Sequence, residues 1–183
     1  MKKLLIIYDV SYPHLEGGGQ KRLYELGKRF AQHNFIVDWI CFKTWEDPEN
    51  TKVDGIKYIG LDGFNGLYSR NGSRRLLEPF EFSLKLLPKI KTFKSYDYIL
   101  VAQWPIIHLI IFFFLSFSRK FNEKVFIDWW EYWGDAWYDY IGRIGFIPKL
   151  IESFIIKALA RKFNFISISE IGLTGLQKIT KFK

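Results

Sequence analysis

Short apolar runs bounded by turn residues alternate with longer, helically patterned segments along the whole chain. The runs at 4–8, 35–42 and 56–61 predict strands, and apolar residues at helical spacing predict a helix within 23–31. Continuous apolar strands must be covered on both faces, and strands that alternate with helices form parallel sheets. The sequence therefore predicts an α/β fold with a mostly parallel sheet between two layers of helices.

The later part of the chain continues this alternation. We predict strands at 98–102, 125–128 and 165–168, and helices at 76–93, 106–117, 148–162 and from about residue 169 onwards. Pro79 and Pro88 are expected to kink or divide the first of these helices, because proline lacks the amide that a helix interior requires. Asn34 is expected to cap the first helix in a left-handed conformation. The glycine-rich stretch 62–73 is predicted to be a mobile loop.

Charge and cysteine content restrict the partners and the compartment. Lysine and arginine outnumber aspartate and glutamate by 27 to 19, which favours an anionic partner such as nucleic acid, a phosphorylated ligand or an acidic lipid surface. The single cysteine, Cys41, excludes an internal disulfide and a zinc site with two or more thiolates. The apolar run after Met1 is too short for a secretory signal, so we expect a reducing, cytoplasmic setting.

The uncharged segment 98–118 is about as long as a membrane-spanning helix. Gln103, Pro105 and His108 interrupt it, and Pro105 separates a β-rich half from a helical half. We therefore predict two short buried elements in this segment and no transmembrane helix.

Three consecutive glycines, Gly17, Gly18 and Gly19, precede the first helix. Such a loop lets a ligand approach the backbone closely, and a helix N-terminus offers amides and partial positive charge to a phosphate. Lys21 and Arg22 in the first turn oppose the helix dipole unless an anion arrives. The spacing is neither that of a dinucleotide-binding loop nor that of a P-loop. The alternative is a flexible turn that binds no ligand.

The segment 126–140 carries aromatic rings interleaved with carboxylates. Four of the seven tryptophans and four acidic residues lie in it: Trp129, Trp130, Trp133 and Trp137, with Asp128, Glu131, Asp135 and Asp139. Aromatic faces stack on the C–H surfaces of sugars, while carboxylates accept hydrogen bonds from sugar hydroxyls. The segment thus favours a sugar-binding site. The alternative is that most of these rings belong to the core or to a partner interface.

Three weaker candidates complete the set. The segment 70–94 is basic and apolar, which is typical of a helix on an anionic membrane surface, although a solvated outer helix explains it equally well. Ser169 and Glu170 follow a strand, where ligand contact and a simple helix N-cap are both open. His14 lies in the candidate ligand loop, and a single loop histidine more often has no special role.

Taken together, these residues resemble the N-terminal half of a GT-B glycosyltransferase of family 4. The first strand is followed by residues that resemble that family's glycine loop and first helix: Pro13, Gly18, Gly19, Arg22, Leu26 and Phe30, with Asn34 in place of a usual glycine. Residues 128–134, Asp-Trp-Trp-Glu-Tyr-Trp-Gly, together with 142–151, resemble the Asp-Trp-His-Glu-x-Trp-Gly stretch of archaeal members. Residues 168–170 resemble the Val-Ser-Glu that opens the last helix of the family's first domain.

The resemblance implies one Rossmann-like domain over 1–183 that forms half of a GT-B fold and binds the acceptor. The whole enzyme would transfer a sugar, with retention, from a nucleotide-sugar donor to a glycan or lipid-linked acceptor. The donor phosphate would contact Gly17, Gly18, Gly19 and Arg22, and the acceptor would contact His14, Trp129, Trp130, Trp133, Ser169 and Glu170. Trp130 replaces a histidine of the archaeal relatives, so Asp128 or Glu131 would take any catalytic acid–base role. No metal or other cofactor is expected.

The chain stops near Lys183, where the donor-binding domain of that family would begin. We therefore expect a hexosyltransferase-type enzyme that is inactive without a donor-binding domain, in the same chain or in a separate one. It would be cytoplasmic and peripheral to the inner face of the membrane through 70–94. The alternative is a non-catalytic glycan- or lipid-binding module. Nucleic acid is not expected as a partner, because the rings cluster with carboxylates instead of lysine and arginine.

Overall fold

The computed structural model describes residues 1–46, 51–68, 75 and 77–180. They belong to two compact units, Met1–His108 and Leu109–Lys183. The first unit contains β1 (Lys2–Ile7), α1 (Gly18–Gln32), β2 (Phe35–Phe42), β3 (Lys52–Val53), β4 (Ile56–Leu61), α2 (Glu78–Leu86), a 3-10 helix (Leu87–Ser95), β5 (Tyr98–Ala102) and a 3-10 helix (Ile106–His108). The second contains α3 (Leu109–Leu115), α4 (Arg119–Asn122), β6 (Val125–Trp129), α5 (Ala136–Ile141), a 3-10 helix (Gly142–Gly145), α6 (Phe146–Ala160), β7 (Asn164–Ser167) and α7 (Glu170–Thr180).

The strands of the first unit lie in the order β3-β4-β2-β1-β5. β1 is parallel to β2 and to β5, and β2 is parallel to β4, whereas the short β3 runs antiparallel to β4. Leu5, Ile6 and Ile7 are fully buried although their side chains alternate between the two faces of the strand. Both faces of β1 are therefore covered, as its continuous apolar sequence predicts.

In the second unit, β6 and β7 pair in parallel, so their carboxyl ends lie at the same edge. Helix α6 packs against α3 and α7. Its inward side is mostly apolar: Ile155, Ile156 and Leu159 are buried there, together with Glu152.

The predicted α/β fold with a mostly parallel sheet is confirmed. The observed bounds of β2, β4 and β5 coincide with the predicted ones, and Asn34 has the left-handed φ of 64° expected after the first helix. The helix predicted at 76–93 is divided, as expected near Pro88: α2 ends at Leu86, and a 3-10 helix that contains Pro88 begins at Leu87. Pro79 lies in the first turn of α2 and does not divide it. The short elements β3, α4 and α5 were not predicted.

Other predictions are tested by the described residues only in part or not at all. The loop predicted at 62–73 is described only as far as Tyr68, and its remainder, like Leu76, lies outside the described residues. The single domain over 1–183 stays a prediction. Segment 98–118 forms β5, a 3-10 helix and α3. Among the described residues, no helix combines the length and apolar character that crossing a membrane requires.

His108, at the end of the first unit, is a buried histidine. Its Nδ1 hydrogen-bonds the carbonyl oxygen of Pro105, and its ring meets that of Phe82 edge-on at 5.7 Å between centroids. Burial lowers the pKa of His108 to about 4, although hydrogen bonds to the backbone of Pro105 and Ala102 oppose the change. The imidazole is therefore neutral in the folded chain at neutral pH.

Replacing His108 with leucine is expected to reduce the acid sensitivity of the fold. An unfolded histidine binds its proton near pH 6.5, whereas the folded one binds it only near pH 4, so stability is lost as the pH falls through that window. The loss attributable to this group is about 3 kcal/mol. Urea denaturation at a series of pH values measures it. His33→Leu, at an exposed histidine, should keep the wild-type pH dependence, and an unchanged slope in His108→Leu would contradict the assignment.

Candidate functional site

A trough of about 390 Å³ lies where β6 and β7 end, in the second unit. Residues 130–133 and Ala136, which follow β6, line it together with Ser169, Ile171 and Gly172 at the start of α7. Ligands of open parallel sheets bind beyond the carboxyl ends of the strands, which is where this trough is. Its lining combines indole and phenol rings with a carboxylate and a hydroxyl.

The carboxylate of Glu152, in the middle of α6, holds the tryptophan-rich segment in place. Its side chain is buried and accepts hydrogen bonds from the backbone amides of Trp133 (3.1 Å) and Gly134 (3.0 Å) and from Nε1 of Trp137 (3.2 Å). Burial raises the pKa of Glu152, and the three donated hydrogen bonds partly oppose this rise. The carboxylate supplies acceptors to amides that belong to no helix or strand.

Glu152 is not among the site residues that the sequence predicted. A usable signal exists, because it is the only acidic residue in the otherwise apolar and basic stretch 146–160. An acidic residue on the inward side of an apolar helix must find donors, and nearby irregular backbone is the usual source.

Two glycines permit the path of the tryptophan-rich segment. Gly134 has a φ of +49°, a left-handed conformation that side chains disfavour. A Cβ on Gly145 would lie 2.3 Å from the backbone carbonyl oxygen of Trp137, so the 3-10 helix can approach α5 this closely only through glycine. Both glycines therefore help to set the shape of the trough wall.

The two candidate catalytic carboxylates have different surroundings. Asp128 is fully buried at the end of β6, and its Oδ2 accepts a hydrogen bond from Nε1 of Trp130 at 2.7 Å. Glu131 is exposed and lines the trough, and its Oε2 accepts from Nε1 of Trp133 at 3.2 Å. Thus Asp128 orients an indole, whereas Glu131 is the carboxylate that a ligand in the trough would meet.

The predicted acceptor residues of this unit do not all reach the trough. Trp130, Trp133 and Ser169 line it. Trp129 is fully buried, packs on Phe165 at 5.7 Å between centroids, and is not part of the lining, so its ring belongs to the core.

At the start of α7, where ligand contact and a helix N-cap were both open, the structure shows an N-cap. Ser169 Oγ accepts a hydrogen bond from the backbone amide of Gly172 at 3.1 Å, which is an N-cap contact. Ser169 therefore has a structural role whether or not it also contacts a ligand. Glu170, the first residue of α7, is exposed and lies outside the trough lining.

In the first unit, the glycine loop leads directly into α1. Gly17 precedes the helix in an extended conformation, and Gly18 and Gly19 are its first two residues. The first-turn amides of a helix have no carbonyl partner within it, and no acidic residue lies in this turn. A Cβ on Gly18 would have no neighbour within 4 Å, so packing within the chain does not require a glycine there. Arg22 is half-buried.

His14, the remaining predicted acceptor residue, lies in an aromatic cluster of the first unit. Its Nδ1 is 3.0 Å from Ser11 Oγ. Its ring lies 4.4 Å from that of Trp45 and 4.8 Å, edge-on, from that of Tyr58. These contacts fix the orientation of the imidazole.

Glu152→Gln is expected to destabilise the fold by about 1–3 kcal/mol, because one acceptor oxygen is replaced by an amide that faces other donors. Since burial raises the pKa of Glu152, the folded chain holds this proton more tightly than the unfolded chain. The stability that Glu152 contributes is greatest below pH 4.5 and declines as the pH rises above that value. Chemical denaturation should therefore show that Glu152→Gln lowers the free energy of unfolding more at acidic than at alkaline pH.

The matched control is Glu131→Gln, which changes an exposed carboxylate in the same segment and should leave stability within about 0.5 kcal/mol of wild type. Equal stability of wild type and Glu152→Gln would show that the three hydrogen bonds do not hold the segment.

Comparisons with known proteins support the fold but do not identify a function. No family model and no curated protein matches the sequence. Among solved structures, the chain is similar to a sucrose-phosphate synthase from Thermosynechococcus elongatus, with a TM-score of 0.61 and 16% sequence identity. The alignment covers 92% of this chain and 48% of the synthase chain, so this chain spans about half of its length. That synthase is a GT-B glycosyltransferase, and at this identity the likeness shows a shared fold alone.

Proposed function

We propose that this chain is the acceptor-binding domain of a retaining glycosyltransferase of family 4, of the archaeal hexosyltransferase type. The observation that carries the proposal is the trough after β6 and β7, which presents the side chains of Trp130, Trp133 and Glu131. Indole faces suit the C–H surfaces of a sugar ring, and an exposed carboxylate accepts hydrogen bonds from its hydroxyls. The fold shared with a glycosyltransferase agrees with this assignment.

The donor would be a nucleotide sugar held by a donor-binding domain, either in the same chain or in a separate one. Its phosphates would meet the N-terminus of α1, where Gly17, Gly18 and Gly19 leave room for an anion and Arg22 adds charge. Helix amides and the helix dipole would balance the negative charge of the departing diphosphate.

The acceptor would be a glycan or a lipid-linked sugar. Glu131 is the candidate for acid–base contact with an acceptor hydroxyl, because it is the exposed carboxylate of the trough. Asp128 would act through Trp130, whose indole it orients. No metal enters this scheme.

A non-catalytic glycan- or lipid-binding module is the second candidate function. The burial of Asp128 and its hydrogen bond to Trp130 favour it, because they leave only one of the two predicted catalytic carboxylates in reach of a ligand. Sugar capture by this chain, without transfer in any mixture with a donor-binding domain, would support the module over the enzyme.

The proposal includes a location at the inner face of an anionic membrane, reached through 70–94. Of this segment, α2 exposes Phe80 and Leu84, and Lys91 and Lys94 are exposed in the 3-10 helix that follows. Arg75 is paired with Glu81 at 3.2 Å. The remaining predicted arginines, Arg70 and Arg74, lie outside the described residues.

Trp133→Ala is expected to weaken glycan capture at least about 30-fold, as is usual when a central tryptophan is removed from a binding site. The measurement uses the labelled chain on an array of immobilised mono- and oligosaccharides. Glu131→Gln should also weaken capture, and its exposed position makes an effect on folding small. Tyr138→Ala removes an exposed ring outside the trough and should bind as wild type does. Equal capture by all four proteins would exclude the trough as the sugar site.

Gly18→Val is expected to leave the melting temperature nearly unchanged, because a Cβ at this position has no neighbour within 4 Å among the described residues. Sugar transfer by the chain together with its donor-binding domain should fall on the order of 10²–10³-fold, as when one preorganised donor of an anion site is lost. Gly18→Ala, with a single added methyl group, should give an intermediate rate. Undiminished transfer by Gly18→Val would remove the glycine loop from the mechanism.

A further inference from the structure

Two helices of the second unit expose a continuous apolar surface, the α3–α6 face. Its exposed side chains are Ile110, Phe114 and Phe117 from α3 and the turn after it, and Ile147, Leu150, Ile151 and Phe154 from α6, with the half-buried Phe113 between the two helices. The exposed fractions of Phe114, Phe117 and Phe154 are 66%, 73% and 60%. Apolar surface of this extent marks an interaction site.

The ring of Phe113 joins the two helices of this face. It lies 5.4 Å from the ring of Phe117 and 5.8 Å from that of Phe154, between centroids. The exposed side chains of α3 and α6 therefore form one surface.

Packing among the described residues leaves the outward side of α6 exposed. Residues Ile155, Ile156 and Leu159 already fill the inward side, so the helix is apolar on both sides. A helix with apolar side chains on two opposite sides has an apolar side left to bury besides the one that faces the core.

The segments that contain the α3–α6 face are rich in basic residues. Segments 106–122 and 140–163 contain seven basic residues and one acidic residue, Glu152, which is buried. The basic residues are Arg119, Lys120, Arg143, Lys149, Lys157, Arg161 and Lys162. Lys149 is paired with Asp135 at 2.6 Å, whereas Lys157 and Arg161 are in no ion pair with a described residue.

Basic side chains also lie along the outward side of α6. Lys157 and Arg161 come three and seven residues after Phe154, so they continue the same side of the helix towards its C-terminus. Apolar side chains bordered by unpaired cations are the pattern of a helix in the membrane interface.

We propose that the α3–α6 face docks on the surface of an anionic lipid bilayer. Phe114, Phe117 and Phe154 enter the boundary between headgroups and acyl chains, while Lys157 and Arg161 contact lipid phosphates. A second copy of the chain fits less well, because pairing this face with itself brings cations of both copies together. This inference is independent of sugar transfer and concerns a surface distinct from 70–94.

The test is co-sedimentation of the chain with vesicles of phosphatidylcholine alone or with one third phosphatidylglycerol. We expect binding to the anionic vesicles that weakens with salt. The double variant Phe114→Ser/Phe154→Ser should reduce binding at least about tenfold, because it removes two apolar anchors. Lys157→Gln/Arg161→Gln should reduce binding to anionic vesicles about thirtyfold and should not affect binding to neutral ones. Circular dichroism verifies that each variant is folded.

Two further pairs serve as controls. Phe30→Ser/Ile36→Ser changes exposed apolar side chains of the first unit and should bind as wild type does. Phe80→Ser/Leu84→Ser tests α2 in the same assay.

Three outcomes would overturn the inference: no vesicle binding by the wild type, loss of binding only in the α2 pair, or a dimer in light scattering that the α3–α6 variants dissociate. The second of these would still support the membrane role of 70–94. Glycan capture, measured separately on the array, should survive the α3–α6 variants, so failure of this inference and failure of the proposed function are distinguishable.

Discussion

Burial of β1 on both faces is the constraint from which the arrangement of the first unit follows. A strand that is covered on both sides and paired in parallel with β2 and β5 must be joined to its neighbours by crossover connections. Helix α1 makes the first of these connections, so its N-terminus follows the carboxyl end of β1. The glycine loop thereby reaches the edge of the sheet at which parallel α/β proteins bind ligands. Its position is a consequence of strand packing, whatever the loop binds.

In the second unit, β6 and β7 are also parallel, so the residues that follow them lie at the same edge of the sheet. The shape of the trough at this edge depends on one buried carboxylate. Residues 130–135 form neither helix nor strand, so their amides need acceptors from elsewhere. Glu152 supplies two such acceptors and also binds the indole of Trp137. Burying a carboxylate is costly, and three donated hydrogen bonds offset that cost. The trough wall is thus held by the helix behind it.

The sequence predicts the regular elements of this fold better than it predicts the site. Apolar-rich runs bounded by turn residues identified β2, β4 and β5 to the residue, because the side chains of such a run are buried on at least one face of the sheet. The sequence does not show that the side chain of Trp129 lies in the core whereas that of Trp130 lines the trough. This difference depends on β6 ending at Trp129, one residue later than expected, which leaves that ring in the core. The partners of Glu152 could not be predicted for a different reason. Its three hydrogen bonds join residues 15 to 19 positions apart, and those partners lie in or next to irregular backbone.

Helix α6 connects the two proposed surfaces of the second unit. Glu152, on its inward side, holds the backbone of the trough, while Phe154, two residues later, lies on the outward α3–α6 face. A bilayer docked on that face would therefore set the height of the trough above the lipid through a single rigid element. Such an arrangement favours acceptors that are themselves anchored in the membrane, because their sugars are presented at a constant distance from the surface. Of the two acceptor classes that the trough chemistry allows, the lipid-linked one then fits both surfaces at once.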